Sequence, residues 1–239
     1  GIWFPLSTNW SVVILNGLSR GMLIFLVASG LTLIYGLVGL INFAHGAMFT
    51  AGAYVLLAFM GVFDNFWLAL VGGVIVVGLL GLALERTLLK SLYDREPLLG
   101  FLATFGIGLV IIELTSLIWG SQSYTMQAPI SGSLKLTGVT FPLYRLFIIG
   151  IGAAVAILVG SLLRYTHFGI SIYATTVDSD TAQLLGTNTT RIYSAVFFLG
   201  TVLAAFAGGL IMPITTVYPT LGLEYMLIAF LVITIGGMG

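Results

Sequence analysis

Apolar residues run along this chain in stretches of about 20, the length a helix needs to cross a hydrocarbon layer, with short polar clusters between them. The pattern predicts spans near 12–38, 46–63, 66–84, 98–118, 143–163, 192–211 and 224–238. The expected fold class is therefore all-α: a polytopic transmembrane helical bundle of about 7 spans. One place breaks the pattern. Residues 39–46, Gly-Leu-Ile-Asn-Phe-Ala-His-Gly, put Asn42 and His45 inside an apolar stretch running from Val12 to Val62. Hydrocarbon offers peptide groups no water, so a non-helical turn at that depth survives only against protein or a water-filled path.

The loops between spans carry their own patterns. Residues 119–142 alternate Leu134, Leu136, Val139 and Phe141 with polar residues around Gly138, which predicts a small hairpin. Residues 164–191 are too long for a simple connection. Within them Asp178 and Asp180 can cap a helix, Gln183 follows Asp180 as in a capping box, and Gly186 supplies a left-handed stop. The expectation is a helix of two turns. Its apolar side, Ala182 with Leu184 and Leu185, needs a partner, and two are open: another protein, or the chain's own helices.

Basic residues set an orientation. Loop 85–97 holds Arg86, Lys90 and Arg95, and loop 164–191 adds Arg164 and Arg191. The loop 119–142 has only Lys135, with Arg145 just beyond it. Cytoplasmic loops retain the excess of lysine and arginine, so 164–191 is expected inside and 119–142 outside, with the amino terminus outside. No linker splits the chain, and 1–239 reads as one transmembrane domain.

Composition narrows the chemistry. Hydrophobic residues make up 59% and charged residues 7% of the chain, and mean hydropathy is +1.15, far from the roughly one quarter charged residues of soluble domains. Eight basic and eight acidic residues cancel, which removes a case for nucleic-acid binding. There is no Cys, hence no disulfide or thiolate metal site, and no His-Glu-x-x-His or Gly-x-Ser-x-Gly. No catalytic or metal-ligating set is assigned. The 31 glycines instead suggest close helix packing, with Gly17/Gly21, Ala156/Gly160 and Ala204/Gly208 at four-residue spacing.

The candidates that remain are polar groups within spans. Asn42, Phe43, His45 and Gly46 form the break, where exposed donors and carbonyls could receive a zwitterion's charges. A histidine satisfied by a neighbouring carbonyl, and an asparagine that only makes the turn, are the alternatives. Glu113 is the one acid read as lying well inside a span; it either lines a path or meets headgroups at the outer end of span four. Arg20 snorkels or faces the bundle interior, since charge at the bilayer centre costs about 2.5 to 3.5 kcal/mol.

Residues 30–54, Gly-Leu-Thr-Leu-Ile-Tyr-Gly-Leu-Val-Gly-Leu-Ile-Asn-Phe-Ala-His-Gly-Ala-Met-Phe-Thr-Ala-Gly-Ala-Tyr, resemble the signature of ABC-importer permeases of the branched-chain amino acid family, the LivH-type subunit more than the LivM-type. Thr104-Phe-Gly-Ile-Gly-Leu-Val-Ile-Ile-Glu113, the Ala182–Gly186 loop and Ile235-Gly-Gly-Met-Gly239 match in order, so the resemblance covers nearly the whole chain. It implies a pore-forming importer subunit of the inner (plasma) membrane, without an ATP site or cofactor of its own. Its implied partners are a LivM-type permease, two cytoplasmic ATPases that bind the ATP, and an extracytoplasmic substrate-binding protein. The helix carrying Asp178, Asp180, Ala182, Leu184, Leu185 and Gly186 would couple to an ATPase. Asn42, Phe43, His45, Gly46 and Glu113 would mark the substrate pathway. Members of the family often carry more basic residues before that helix, and continue past Gly-Gly-Met-Gly into another hydrophobic segment. The implied cargo is a branched-chain or other hydrophobic amino acid; a permease or channel for urea, short amides or small carboxylates is the alternative.

Overall fold

A computed structural model of the chain describes residues 10–93, 95–136 and 139–237. Among the described residues the helices are α1 (Trp10–Val38), α2 (Ala44–Phe63), α3 (Phe66–Thr87), α4 (Pro97–Trp119), α5 (Leu143–Tyr165), α6 (His167–Val177), α7 (Ser179–Leu184), α8 (Thr189–Ile211) and α9 (Leu221–Gly236). Six of them, α1 to α5 and α8, are long and apolar enough to cross a membrane. The 16 residues of α9 rise only about 24 Å, short of a hydrocarbon core of about 30 Å. All seven expected spans fall on these helices, and the chain is a helical membrane bundle.

Strands β1 (Ser133–Leu136) and β2 (Val139–Pro142) pair antiparallel, Leu134 opposite Phe141, as the alternation predicts. The expected turn at Gly138 lies outside the described residues. The segment after α4 also reaches that after α8, where Tyr124 and Val217 exchange backbone hydrogen bonds of 2.8 Å. Those two segments therefore share one end of the bundle; α6, α7 and the 3-10 turn Leu89–Leu92 occupy connections at the other. The 11-residue α6 was not expected. Thr166 starts it by accepting the Gly169 N–H at 3.2 Å, but the sequence His-Phe-Gly-Ile-Ser-Ile-Tyr-Ala-Thr-Thr-Val has no clean amphipathic period to announce a helix.

The bundle is organised around α8. In its most apolar stretch 72% of residues are buried, against 11% for α5, so α8 is central and α5 peripheral. Small side chains let two neighbours approach it closely: Gly200 faces Gly30 of α1, Ala205 faces Gly52 of α2, and Gly208 lies on the Phe49 backbone of α2. On α3, Gly78 admits Val202 and Phe198, and Gly81 admits Thr201. Without a hydrophobic drive between helices in lipid, such close backbone contact supplies the association. Of the three expected small-residue pairs only Ala204/Gly208 packs this way. Gly17, Gly21 and Gly160 meet nothing within 4 Å.

Gly208→Leu is expected to destabilise the bundle by more than the about 1–3 kcal/mol of ordinary overpacking, because the obstructing atoms are Phe49 backbone. Thermal unfolding of the detergent-solubilised protein reads the loss. Gly150→Leu, at a position that meets nothing, should leave the midpoint unchanged.

Candidate functional site

The break between α1 and α2 begins at Gly39, whose φ of +67° closes α1 with its N–H on the Tyr35 carbonyl at 2.7 Å. The next residues turn back into the bundle, so that α2 starts in the interior and not at its edge. Thr104 and Gly108 of α4 give the depth: Leu40 packs on Gly100, Phe43 binds Thr104, and Ala44 lies against Gly108. Along α4 that is roughly 10 to 16 Å from Pro97.

The three N–H groups that lead into α2 have partners. The Phe43 N–H donates to Thr104 Oγ1 at 3.2 Å, the Ala44 N–H to Asn42 Oδ1 at 3.1 Å, and the His45 N–H to the Asn42 carbonyl at 3.1 Å. Thr104 in turn has the Phe101 and Ile41 carbonyls within reach of its own hydroxyl proton, at 3.1 and 3.4 Å. Asn42 and His45 are fully buried. Phe43 is half-buried, edge-on to Phe101 at 4.7 Å. Gly46 touches the Gly222 carbonyl, a contact that any side chain would obstruct, and Thr50 Oγ1 accepts the Gly222 N–H at 2.8 Å, so α2 also seats the first turn of α9.

His45 Nε2 lies 3.0 Å from the Val27 carbonyl and donates to it, which makes Nδ1 the acceptor nitrogen of a neutral ring. Nδ1 is buried without a hydrogen-bond partner. Gly30 makes room for the ring, its missing Cβ lying against His45 Cε1. Asn42, Phe43, His45 and Gly46 thus share one junction of α1, α2, α4 and α9. The structure does not bring Glu113 to it; that side chain stands on the exposed face of α4.

At the opposite end of α8 the predicted short helix exists as α7. Asp178 caps it: Oδ1 accepts the Asp180 and Thr181 N–H groups at 3.1 and 3.0 Å, and Oδ2 accepts the Thr181 hydroxyl at 2.6 Å. The Thr181 hydroxyl, then its N–H, hold the Asp178 carboxyl below the ordinary carboxylate range. The cap is Asp178 alone. Asp180 lies in the first turn, where its charge suits the helix dipole, and no Asp180–Gln183 box is needed. Gly186, φ +92°, ends the helix, and the Thr187 N–H returns to the Ala182 carbonyl at 2.9 Å. Ala182 is buried at 4% exposure, whereas Leu184 and Leu185 are 88% and 82% exposed. Asn188 then caps α8 through the Arg191 N–H at 3.0 Å.

One carboxylate escaped the sequence reading. Glu85, at the end of α3, is fully buried; Ser194 of α8 donates to its Oε2 at 2.7 Å and Tyr93 to its Oε1 at 3.0 Å. Burial, then the Glu85 charge, push the Tyr93 phenol far above its ordinary value, so it remains a donor. Beside this pair a cavity of about 170 Å³ reaches Ser179 of α7 and Thr189 of α8. Glu85 sits where the apolar run gives way to a polar loop, a position at which an acid normally meets water, so only the approach of α8 reveals its burial.

Residues 13–239 match the family model described as branched-chain amino acid transport system / permease component. The chain is 28% identical to the high-affinity branched-chain amino acid transport system permease protein LivH of Escherichia coli K12, over 94% of this chain and 78% of that protein. It is 27% identical to the permease protein BraD of Pseudomonas aeruginosa (95% and 78%) and 29% identical to the probable LivH of Methanocaldococcus jannaschii (90% and 70%). No solved structure gives a significant match.

Removing the Glu85 acceptor leaves two hydroxyls without it. Glu85→Ala is expected to cost about 1–3 kcal/mol, read as a lower thermal midpoint, with Glu85→Gln losing less because its amide oxygen still accepts. The Asp178 cap follows pH in the carboxylate sense: its contribution is present above the ordinary value and is lost only as pH falls through the lowered folded one. Amide exchange in 179–184 should therefore stay protected at pH values just above that range, and Asp178→Ala should abolish the protection.

Proposed function

The chain belongs to the family of branched-chain amino acid transport system permease components, and from that premise we propose that it is the membrane permease subunit of an ABC importer carrying branched-chain or other hydrophobic amino acids into the cell. It is a multi-pass inner-membrane protein and a transport subunit, not an enzyme. ATP is bound and hydrolysed by two partner ATPases on the cytoplasmic side. A LivM-type permease completes the pore, and a soluble binding protein delivers cargo outside. The relatives compared carry branched-chain amino acids in their names, which favours that cargo over urea, amides or small carboxylates.

One observation carries the mechanism: Leu184 and Leu185 stand almost fully exposed at the end of a capped helix whose Ala182 side is packed on its own chain. An apolar pair presented rigidly at the end of a spanning helix suits a groove on another protein. Ile170, Tyr173 and Val177 of α6 are exposed as well. We assign 164–191 as the cytoplasmic coupling loop and 119–142 as the extracytoplasmic loop. ATP-driven closure of the motor pulls on α7, and the short link through Asn188 passes the displacement to α8 as a rigid-body tilt. Because α8 packs on α1, α2 and α3, that tilt moves the break at Asn42–Gly46, where the cargo path is gated. Such a motor works only if its ATP-bound and ATP-free states hold α7 differently.

Leu185→Asp places a charge in this contact. It should lower leucine uptake by about tenfold or more, the effect of losing about 1.4 kcal/mol at a single anchor, while ATPase subunits retain turnover and the bundle keeps its thermal midpoint. Reconstituted proteoliposomes with the partner subunits read both quantities; unaltered uptake would refute the coupling role.

A further inference from the structure

Where α1 and α5 begin and α8 ends, a cavity of about 380 Å³ opens between these helices and α9. Arg20, ten residues into α1, and Arg145, in the first turn of α5, both line it. Asn16, Thr215 and Tyr225 add neutral polar groups, and Leu23 with Ile211 gives it an apolar wall. Arg145 donates to Asn16 Oδ1; Arg20 is exposed and shares the cavity lining with Tyr225. The Arg145 guanidinium is thus oriented by a neutral partner that leaves its charge in place. Among the described residues no carboxylate lines the cavity; Glu224, beside Tyr225 on α9, accepts the Tyr218 hydroxyl instead.

Two cations lining one cavity repel each other, and an anion that enters relieves the repulsion. Arginine forks match a carboxylate bidentately. We infer that this cavity is the entry site for the cargo: Arg20 and Arg145 bind the carboxylate of an amino acid, the Thr215 and Tyr225 oxygens face its ammonium group, and Leu23 and Ile211 receive its apolar side chain. The inference rests on the importer reading and adds to it the residues that first meet the cargo. It also gives Arg20 a role that neither snorkelling nor simple burial supplies.

The chain has no Cys, so Gly17→Cys, at a lining position where an added side chain meets nothing within 4 Å, introduces its single thiol at the cavity wall. In membranes containing the assembled transporter, an anionic methanethiosulfonate should label this thiol about tenfold faster than a cationic one of similar size, because a cationic cleft concentrates anions. Arg20→Gln or Arg145→Gln in the same background should abolish that preference, and either variant suffices if the other fails to assemble. Excess leucine should slow the labelling, and leucinamide, which lacks the carboxylate, should not. Equal rates for the two reagents overturn the assignment. A charge preference that leucine does not alter overturns it too and points to a lipid phosphate as the occupant. Leucine uptake by the unsubstituted transporter, measured alongside, stands or fails separately and judges the importer reading itself.

Discussion

A peptide group inside a membrane has to find its hydrogen-bond partner in the protein, and the junction of α1 and α2 is where that requirement is hardest to meet. Five residues separate α1 from α2 between Val38 and Ala44, at a depth where water is scarce. The chain resolves this with neighbours: Thr104 receives the Phe43 N–H, the Asn42 side chain and carbonyl receive the two that follow, and His45 closes on the Val27 carbonyl of α1. Much else follows from it. Because α2 starts inside, its first turns can meet Gly222 and Tyr225 of α9, and Phe49 stacks on Tyr225 at 4.6 Å.

The second constraint is the width of α8. Gly200, Ala205 and Gly208 bring neighbouring backbones into contact, and Thr201 fills the space over Gly81. Helices fitted at that distance cannot slide independently, since each ridge occupies its neighbour's groove. On the importer reading this stiffness is useful. A pull on α7 reaches α8 through a short capped link, and Glu85 fastens the same end of α8 to α3 through Ser194 and to Tyr93. The buried carboxylate is a tie between elements that have to move together.

The candidate site was legible in unequal parts. Asn42 and His45 could be read because two polar residues in a long apolar run break a strong pattern. Asp178 and Gly186 could be read because capping chemistry is local and its residue types are few. Glu113 was read as inside a span correctly by position, yet position along a helix does not say which face it takes; it faces outward. Glu85 and the Arg20–Arg145 pair were missed for the complementary reason. Arg20 and Arg145 are 125 positions apart, and Glu85 and Ser194 are 109 apart, so no window along the chain contains either constellation.

Hydropathy, cap residues and strand alternation are properties of neighbouring residues, and the sequence by itself determined what depends on them: the spans, the break, the hairpin and the short helix with its stop. Which glycines matter, which acid is buried and which cations converge depend on how far one helix stands from another. Gly17 and Gly208 sit in similar small-residue motifs, but only the second faces a backbone. Packing in lipid is decided by shape across long sequence separations, and for that reason only the tertiary structure could distinguish them.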